Sequence, residues 1–166
     1  LKDYSNLCSP LRELLRKDTE FVWMPHHEEA FVKLKKFVAE ATELQYYDVN
    51  KEVTITCDAS KGGLGAALLQ EGQPIHYASR ALTSAEINYA QIEKELLAVV
   101  FACEKFRQYI YGRSVVVETD HKPLTSIVRK SLNDAPTRLQ KLLMRLQGYK
   151  LNVIYKPGTE LKVADT

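Results

Sequence analysis

Hydrophobic positions change their spacing near residue 50. From Asp3 to about Asp48 they recur at helical intervals: Ser9 and Pro10 read as a helix start ahead of Leu11, Leu14 and Leu15. After a break containing Phe21, Val22, Trp23 and Pro25, a second stripe carries Ala30, Phe31, Leu34, Phe37 and Val38. Asp48-Val49-Asn50 then reads as a turn, and from Val53 the period becomes two, with Val53, Ile55 and Cys57 alternating against Thr54, Thr56 and Asp58. That alternation predicts a strand. Gly62, Gly63 and Gly65 punctuate the chain before the apolar stretch Ala66 to Leu69, and Glu71-Gly72 with Pro74 marks a hairpin into Ile75 to Ser79.

A long amphipathic helix is expected from Ser84 or Ala85 to Tyr111, with Ile92, Leu96, Val99, Val100, Cys103, Phe106 and Ile110 on one face and Gly112 stopping it. Val115 to Thr119 is short and β-branched, a buried strand delivering Asp120 to its end. Pro123 to Val128 reads as a short helix, Asp134-Ala135-Pro136 announces another running to about Gln147, and Leu151 to Tyr155 is a final strand before Pro157-Gly158. The predicted order is two lead-in helices followed by βββαβααβ.

Composition changes this picture little. At 166 residues, 45% hydrophobic and 27% charged, the chain has the size and balance of one folded domain, which excludes a disordered tail, a collagen-like repeat and a coiled-coil rod. The longest apolar run, Leu96 to Cys103, is far short of a bilayer span, and no basic-then-apolar leader opens the chain. Leu1 in place of an initiator Met suggests a piece of a longer protein. Three cysteines without a CxxC pair disfavour a disulfide framework or a structural zinc, and fit a reducing compartment. The net charge of +2 hides an asymmetry: 11 basic against 15 acidic residues up to Val100, and 12 against 6 after it. A basic surface for a polyanion and a solvated mixture of charges are both compatible with those halves of about −4 and +6.

Candidate chemistry narrows to carboxylates. There is no nucleophile elbow, P-loop or HExxH, and the four histidines, His26, His27, His76 and His121, lack the paired helical spacing of a metal site. Asp58 and Asp120 each close a predicted strand. Singly, either is a turn former or helix cap. Together they gain meaning: strand four follows a crossover helix, so strands one and four can lie side by side with both aspartates at one edge. Two like charges brought close need a cation or a proton, and oxygen ligands alone select Mg²⁺ or Mn²⁺ over zinc. Glu93 and Glu95 flank the apolar stripe of the long helix. At about 100° per residue, periodicity leaves either of them able to face the sheet or solvent, although Glu95 has Ile92 and Val99 as stripe neighbours.

At these residues the sequence resembles the ribonuclease H domain of the polyprotein of gypsy-type long-terminal-repeat retrotransposons. The matching runs are Cys57-Asp58-Ala59-Ser60 with Gly63-Leu64-Gly65-Ala66; Tyr77 to Leu82; Asn88-Tyr89 leading to Glu93-Lys94-Glu95-Leu96-Leu97-Ala98; Thr119 to Leu124; and Tyr155-Lys156-Pro157-Gly158 ahead of Val163-Ala164-Asp165. They keep the family's order from Val53 to Asp165. Residues 1–50, with Ser9-Pro10-Leu11, Phe21-Val22-Trp23 and Glu29-Ala30-Phe31, resemble the segment joining the reverse transcriptase thumb to that domain, which would then occupy 51–166.

The resemblance implies an α/β, ribonuclease H-like three-layer fold, a mixed five-stranded sheet flanked by helices, behind a helical N-terminal lead-in. It implies four metal-binding catalytic carboxylates, Asp58, Glu95, Asp120 and Asp165, and selects Glu95 over Glu93 because the family's helix carboxylate directly precedes Leu-Leu-Ala. Glu93 becomes a surface neighbour. The implied activity is endonucleolytic hydrolysis of the RNA strand of an RNA/DNA hybrid with two Mg²⁺ ions, Mn²⁺ substituting, during reverse transcription.

The implied partners are the hybrid and the polymerase domain of the same polyprotein, with no membrane; the implied setting is cytoplasmic, in a virus-like particle, or nuclear. Gln91, one turn before Glu95, is a candidate for the hybrid's minor groove, and Arg138, Lys141 and Arg145 form a basic row for phosphates, against the alternatives of a solvated Gln and an ordinary charged helix face. Two departures stand out. Lys156 occupies a position where many relatives carry histidine, and the family pattern continues beyond Asp165 with Leu-Ser-Arg where this chain ends at Thr166, as if the domain were cut just past its last ligand.

A catalytically silent module of the same fold, connection-type or host-derived, would bind nucleic acid or a partner protein without cutting; such relatives typically lose carboxylates. A transposase or integrase core orders its acids Asp, Asp, Glu. Here the order is Asp, Glu, Asp, Asp.

Overall fold

The structure, a computed structural model, describes residues 4–17, 19–39, 44–129 and 135–157. Two helices, α1 (Tyr4–Glu13) and α2 (Pro25–Ala39), pack on each other and precede a sheet built from β1 (Val53–Ala59), β2 (Gly63–Gln70), β3 (Gln73–Ala81), β4 (Ser114–Thr119) and β5 (Lys150–Tyr155). Between β3 and β4 run α3 (Ser84–Ile87), α4 (Gln91–Lys105) and α5 (Arg107–Ile110); α6 (Pro123–Ile127) and α7 (Thr137–Leu146) separate β4 from β5. The strand order is β3-β2-β1-β4-β5. Strands β1 to β3 form an antiparallel meander, whereas β4 pairs parallel to β1 and β5 parallel to β4, giving the mixed five-stranded sheet that the sequence predicts.

Several expectations need correction. Helix α1 begins at Tyr4 and carries Pro10 inside it, so Ser9-Pro10 is not its start. Pro74 lies within β3 and not in the turn. The turn is Glu71-Gly72, both at positive φ (52° and 77°), the two-residue geometry whose twist suits a hairpin. Proline is tolerated at this point because β3 is an edge strand and the ladder shifts register between Leu68 and Leu69, opposite Pro74.

The single long helix is three pieces. Thr83 caps α3 by accepting from the Glu86 amide while the Glu86 carboxylate accepts from the Thr83 amide, and Ala90 is extended (φ −60°, ψ 152°), so the chain restarts as α4. Phe106 (φ −96°, ψ 12°) interrupts the other end, its side chain fully buried.

The predicted apolar face of α4 is too narrow. Besides Leu96, Val99, Val100 and Cys103, residues Leu97, Ala98 and Ala102 are buried, because α4 packs on β1 and β2 on one side and on α7 on the other. Helix α7 answers with Leu139, Leu142, Leu143 and Leu146, all buried. The inner face of the sheet contributes Val53, Ile55 and Cys57 from β1, Leu64 and Leu68 from β2, and Val115 and Val117 from β4. Each fully buried Leu, Ile or Val side chain stabilises such a core by about 1.5–3 kcal/mol relative to exposure. Among the described residues no helix is long and apolar enough to cross a membrane.

The segment before β1 is tied to this core. Gln70, buried in β2, accepts from the Asp48 amide at 2.9 Å and donates to the Asp48 carbonyl at 2.7 Å. The Tyr47 hydroxyl donates to the Tyr109 carbonyl at 2.7 Å and receives the Arg113 guanidinium.

Candidate active site

Parallel pairing places the C-terminal ends of β1 and β4 side by side, with Thr56 opposite Glu118. Asp58 stands two residues beyond Thr56 and Asp120 two beyond Glu118, so the two aspartates project from one end of the sheet on the same side of their strands. Helix α4 starts at that end and brings Glu95 in from its first turns. One carboxylate oxygen from each of Asp58, Glu95 and Asp120 lies within 4.8 Å of the other two.

Glu95 is 4% exposed. Burial raises its pKa to about 8, with the charges of Asp58 and Asp120 pushing the same way and hydrogen bonds from Gln91 and the Ala59 backbone opposing. A carboxyl group that keeps its proton at neutral pH because it is buried, with two further carboxylates beside it, would be ionised by a nearby positive charge. All three donors are hard oxygens at a separation that one or two small divalent cations can bridge, which fits Mg²⁺ or Mn²⁺. Asp165 lies outside the described residues.

Glu93 is not a solvated neighbour of this cluster. Its carboxylate accepts from the Ala90 amide at 3.0 Å, closing the start of α4, and Arg138 of α7 donates to both its oxygens at 3.0 and 2.9 Å. A glutamate at the third helical position is the signal that could have found this role. Arg138 also covers the Tyr89 ring, 4.3 Å from its centre. Of the basic row, Arg145 is likewise engaged, donating to both oxygens of Glu104 at 2.9 and 2.8 Å. Lys141 is exposed. Gln91 donates to the Ala59 carbonyl at 3.2 Å and to the Glu95 carboxylate.

Lys156 follows β5 and meets the other side of Asp120's strand. Its backbone N–H donates to the Thr119 carbonyl at 3.0 Å, and its Nζ reaches both oxygens of Glu118 at 3.0 and 3.1 Å. The sequence offers no local signal for that pair, which depends on the β4–β5 register.

The family described as "RNase H-like domain found in reverse transcriptase" matches residues 48–149. The chain belongs to this family. Its sequence is 37% identical to the Retrovirus-related Pol polyprotein from transposon 297 of Drosophila melanogaster and 35% identical to that from transposon gypsy of the same fly, in each case over 99% of the chain. A Transposon Tf2-3 polyprotein of Schizosaccharomyces pombe is 28% identical over 97% of it. The chain spans only 16%, 17% and 13% of those polyproteins.

Among solved structures, a foamy viral protease-reverse transcriptase in complex with RNA/DNA hybrid superposes with a TM-score of 0.73 at 20% identity, covering 96% of this chain and 23% of that one. LC11-RNase H1 in complex with RNA/DNA hybrid gives 0.55 at 17% identity, covering 69% of this chain and 91% of that one. Both share the fold of this RNase H-like domain.

Proposed function

We propose that this RNase H-like domain hydrolyses the RNA strand of RNA/DNA hybrids by two-metal catalysis during retrotransposon reverse transcription. The observation that carries the reading is the convergence of Asp58, Glu95 and Asp120. Structural relatives in complex with RNA/DNA hybrid support the substrate class. Asp165 is assigned as a fourth ligand on its family motif alone, and residues 1–50 and 51–166 are taken as lead-in and nuclease domain.

Asp58, Glu95 and Asp120 would hold the cations. Bound there, two Mg²⁺ ions would supply activation of the attacking water and relief of the negative charge on the phosphate. Glu95 would release its proton to solvent on holding them. The hydrolysis adds water across the P–O3′ bond, leaving a 5′-phosphate and a 3′-hydroxyl. Both donors of the Gln91 amide face inward, so the atom left to meet a minor groove is its carbonyl oxygen, an acceptor for a 2′-hydroxyl that DNA lacks. Of the basic row, Lys141 is assigned the phosphate contact, because Arg138 and Arg145 are engaged by Glu93 and Glu104.

The test is cleavage of a hybrid labelled on its RNA strand, with the chain alone and with the polymerase domain supplied. RNA cleavage in Mg²⁺ that Asp58→Asn abolishes, the circular dichroism remaining unchanged, is the expected result. Hybrid binding without cleavage in either Mg²⁺ or Mn²⁺ would identify a catalytically silent module instead.

A further inference from the structure

We propose that Gln91 is a positioning residue that braces Glu95 against the end of β1 and so fixes the spacing of the carboxylate cluster; this rests on the cation-binding reading above. Pairing of β1 with β4 ends at Thr56, while pairing of β1 with β2 continues to Ala59 opposite Leu64. The last residues of β1 are therefore paired on one edge and unpaired on the other. The Ser60 amide points at β2, donating to the Gly63 carbonyl at 2.9 Å, so by alternation the N–H and C=O of Ala59 point to the vacant edge. Buried backbone groups there need partners.

Helix α4 supplies them from side chains. Gln91 donates to the Ala59 carbonyl at 3.2 Å, and the Ala59 backbone lies beside the Glu95 carboxylate and favours its charged form. The second N–H of Gln91 goes to Glu95 itself, one helical turn on and on the same face. Two bonds from one amide group thus tie Glu95 to Ala59. Ala59 is covalently next to Asp58, so this bridge fixes Glu95 relative to the neighbouring carboxylate. Asp58 and Asp120 repel an ionised Glu95, and free rotation about its side-chain bonds would let it retreat; the brace removes that freedom before any cation binds.

The test is calorimetric titration of the 166-residue chain with Mn²⁺ in the absence of nucleic acid, comparing wild type, Gln91→Met and Gln91→Ala, with circular dichroism in EDTA to verify the fold. Methionine keeps the length and volume of Gln91 and removes both donors. Both variants are expected to bind Mn²⁺ at least about tenfold more weakly, the range typical of partners that orient metal ligands. Wild-type affinity in Gln91→Met overturns the brace while leaving the cluster's role intact. Weaker hybrid binding, measured alongside by fluorescence anisotropy, with Mn²⁺ affinity unchanged leaves Gln91 its substrate contact alone and also overturns the brace. Wild type that binds no Mn²⁺ removes the cation reading and the brace together.

Discussion

Arg138 grips both carboxylate oxygens of Glu93, at 3.0 and 2.9 Å, while lying over the Tyr89 ring, and so joins α7 to the start of α4. A guanidinium held in this way is a poor candidate for releasing counterions from a nucleic acid. Lys141→Ala is expected to reduce the slope of log hybrid affinity against log salt by about 0.9, and Arg138→Ala to leave it unchanged. Binding titrations over a series of salt concentrations check this; an equal loss in both variants would mean that Arg138 leaves Glu93 for phosphate.

Cation-free stability should fall as pH rises. Glu95 has a pKa near 8 in the folded chain against an ordinary value of 4.5. The folded state thus holds the proton more tightly, and the stabilisation, complete below about 4.5, is lost progressively until pH passes about 8. The total lies in the range of a few kcal/mol. Urea unfolding in EDTA should show this slope. Glu95→Gln, which cannot ionise, should abolish it; a slope that survives the substitution would place its origin elsewhere.

The opposite sign applies to Glu86. Two hydrogen bonds from Arg80, at 2.7 and 2.8 Å, hold its pKa near 2, so its contribution is present above about 4.5 and disappears as pH falls towards 2. Thr83→Ala, which removes the other half of the cap, should cost about 1 kcal/mol at neutral pH in denaturant unfolding. No measurable cost would show that α3 is held by Arg80 alone.

Thr56 offers a gain. Its Oγ1 is buried, 3% of the residue being exposed, and makes no hydrogen bond among the described residues. Thr56→Val keeps the β-branched shape and removes the stranded hydroxyl, so the unfolding free energy should rise by about 1 kcal/mol. A loss of stability would reveal a polar partner for that oxygen.

The sheet was legible because its signals are local. Alternation marks β1 from Val53, β-branched residues mark β4, and a crossover between them brings Asp58 and Asp120 to one edge. The breaks in the long helix were hidden because Asn88 to Ala90 carry no glycine or proline to announce them, and the second helix start is set by Glu93 acting on Ala90. Periodicity could not separate Glu93 from Glu95, since α4 is covered on two sides and both glutamates are engaged, one by Arg138 and the other by the cluster. The pairs of Lys156 with Glu118 and of Arg145 with Glu104 join residues far apart in the chain, and only tertiary packing reveals them.

The three clustered carboxylates sit on β1, α4 and the end of β4, segments separated by dozens of residues. An unfolded chain cannot bring them together, so an ion bound there would recognise only the native state. Its concentration would then enter the folding equilibrium by mass action, adding about 2.7 kcal/mol when free cation exceeds the dissociation constant a hundredfold. The melting temperature of this domain should therefore act as a gauge of free Mg²⁺, climbing with each addition until the cluster is saturated.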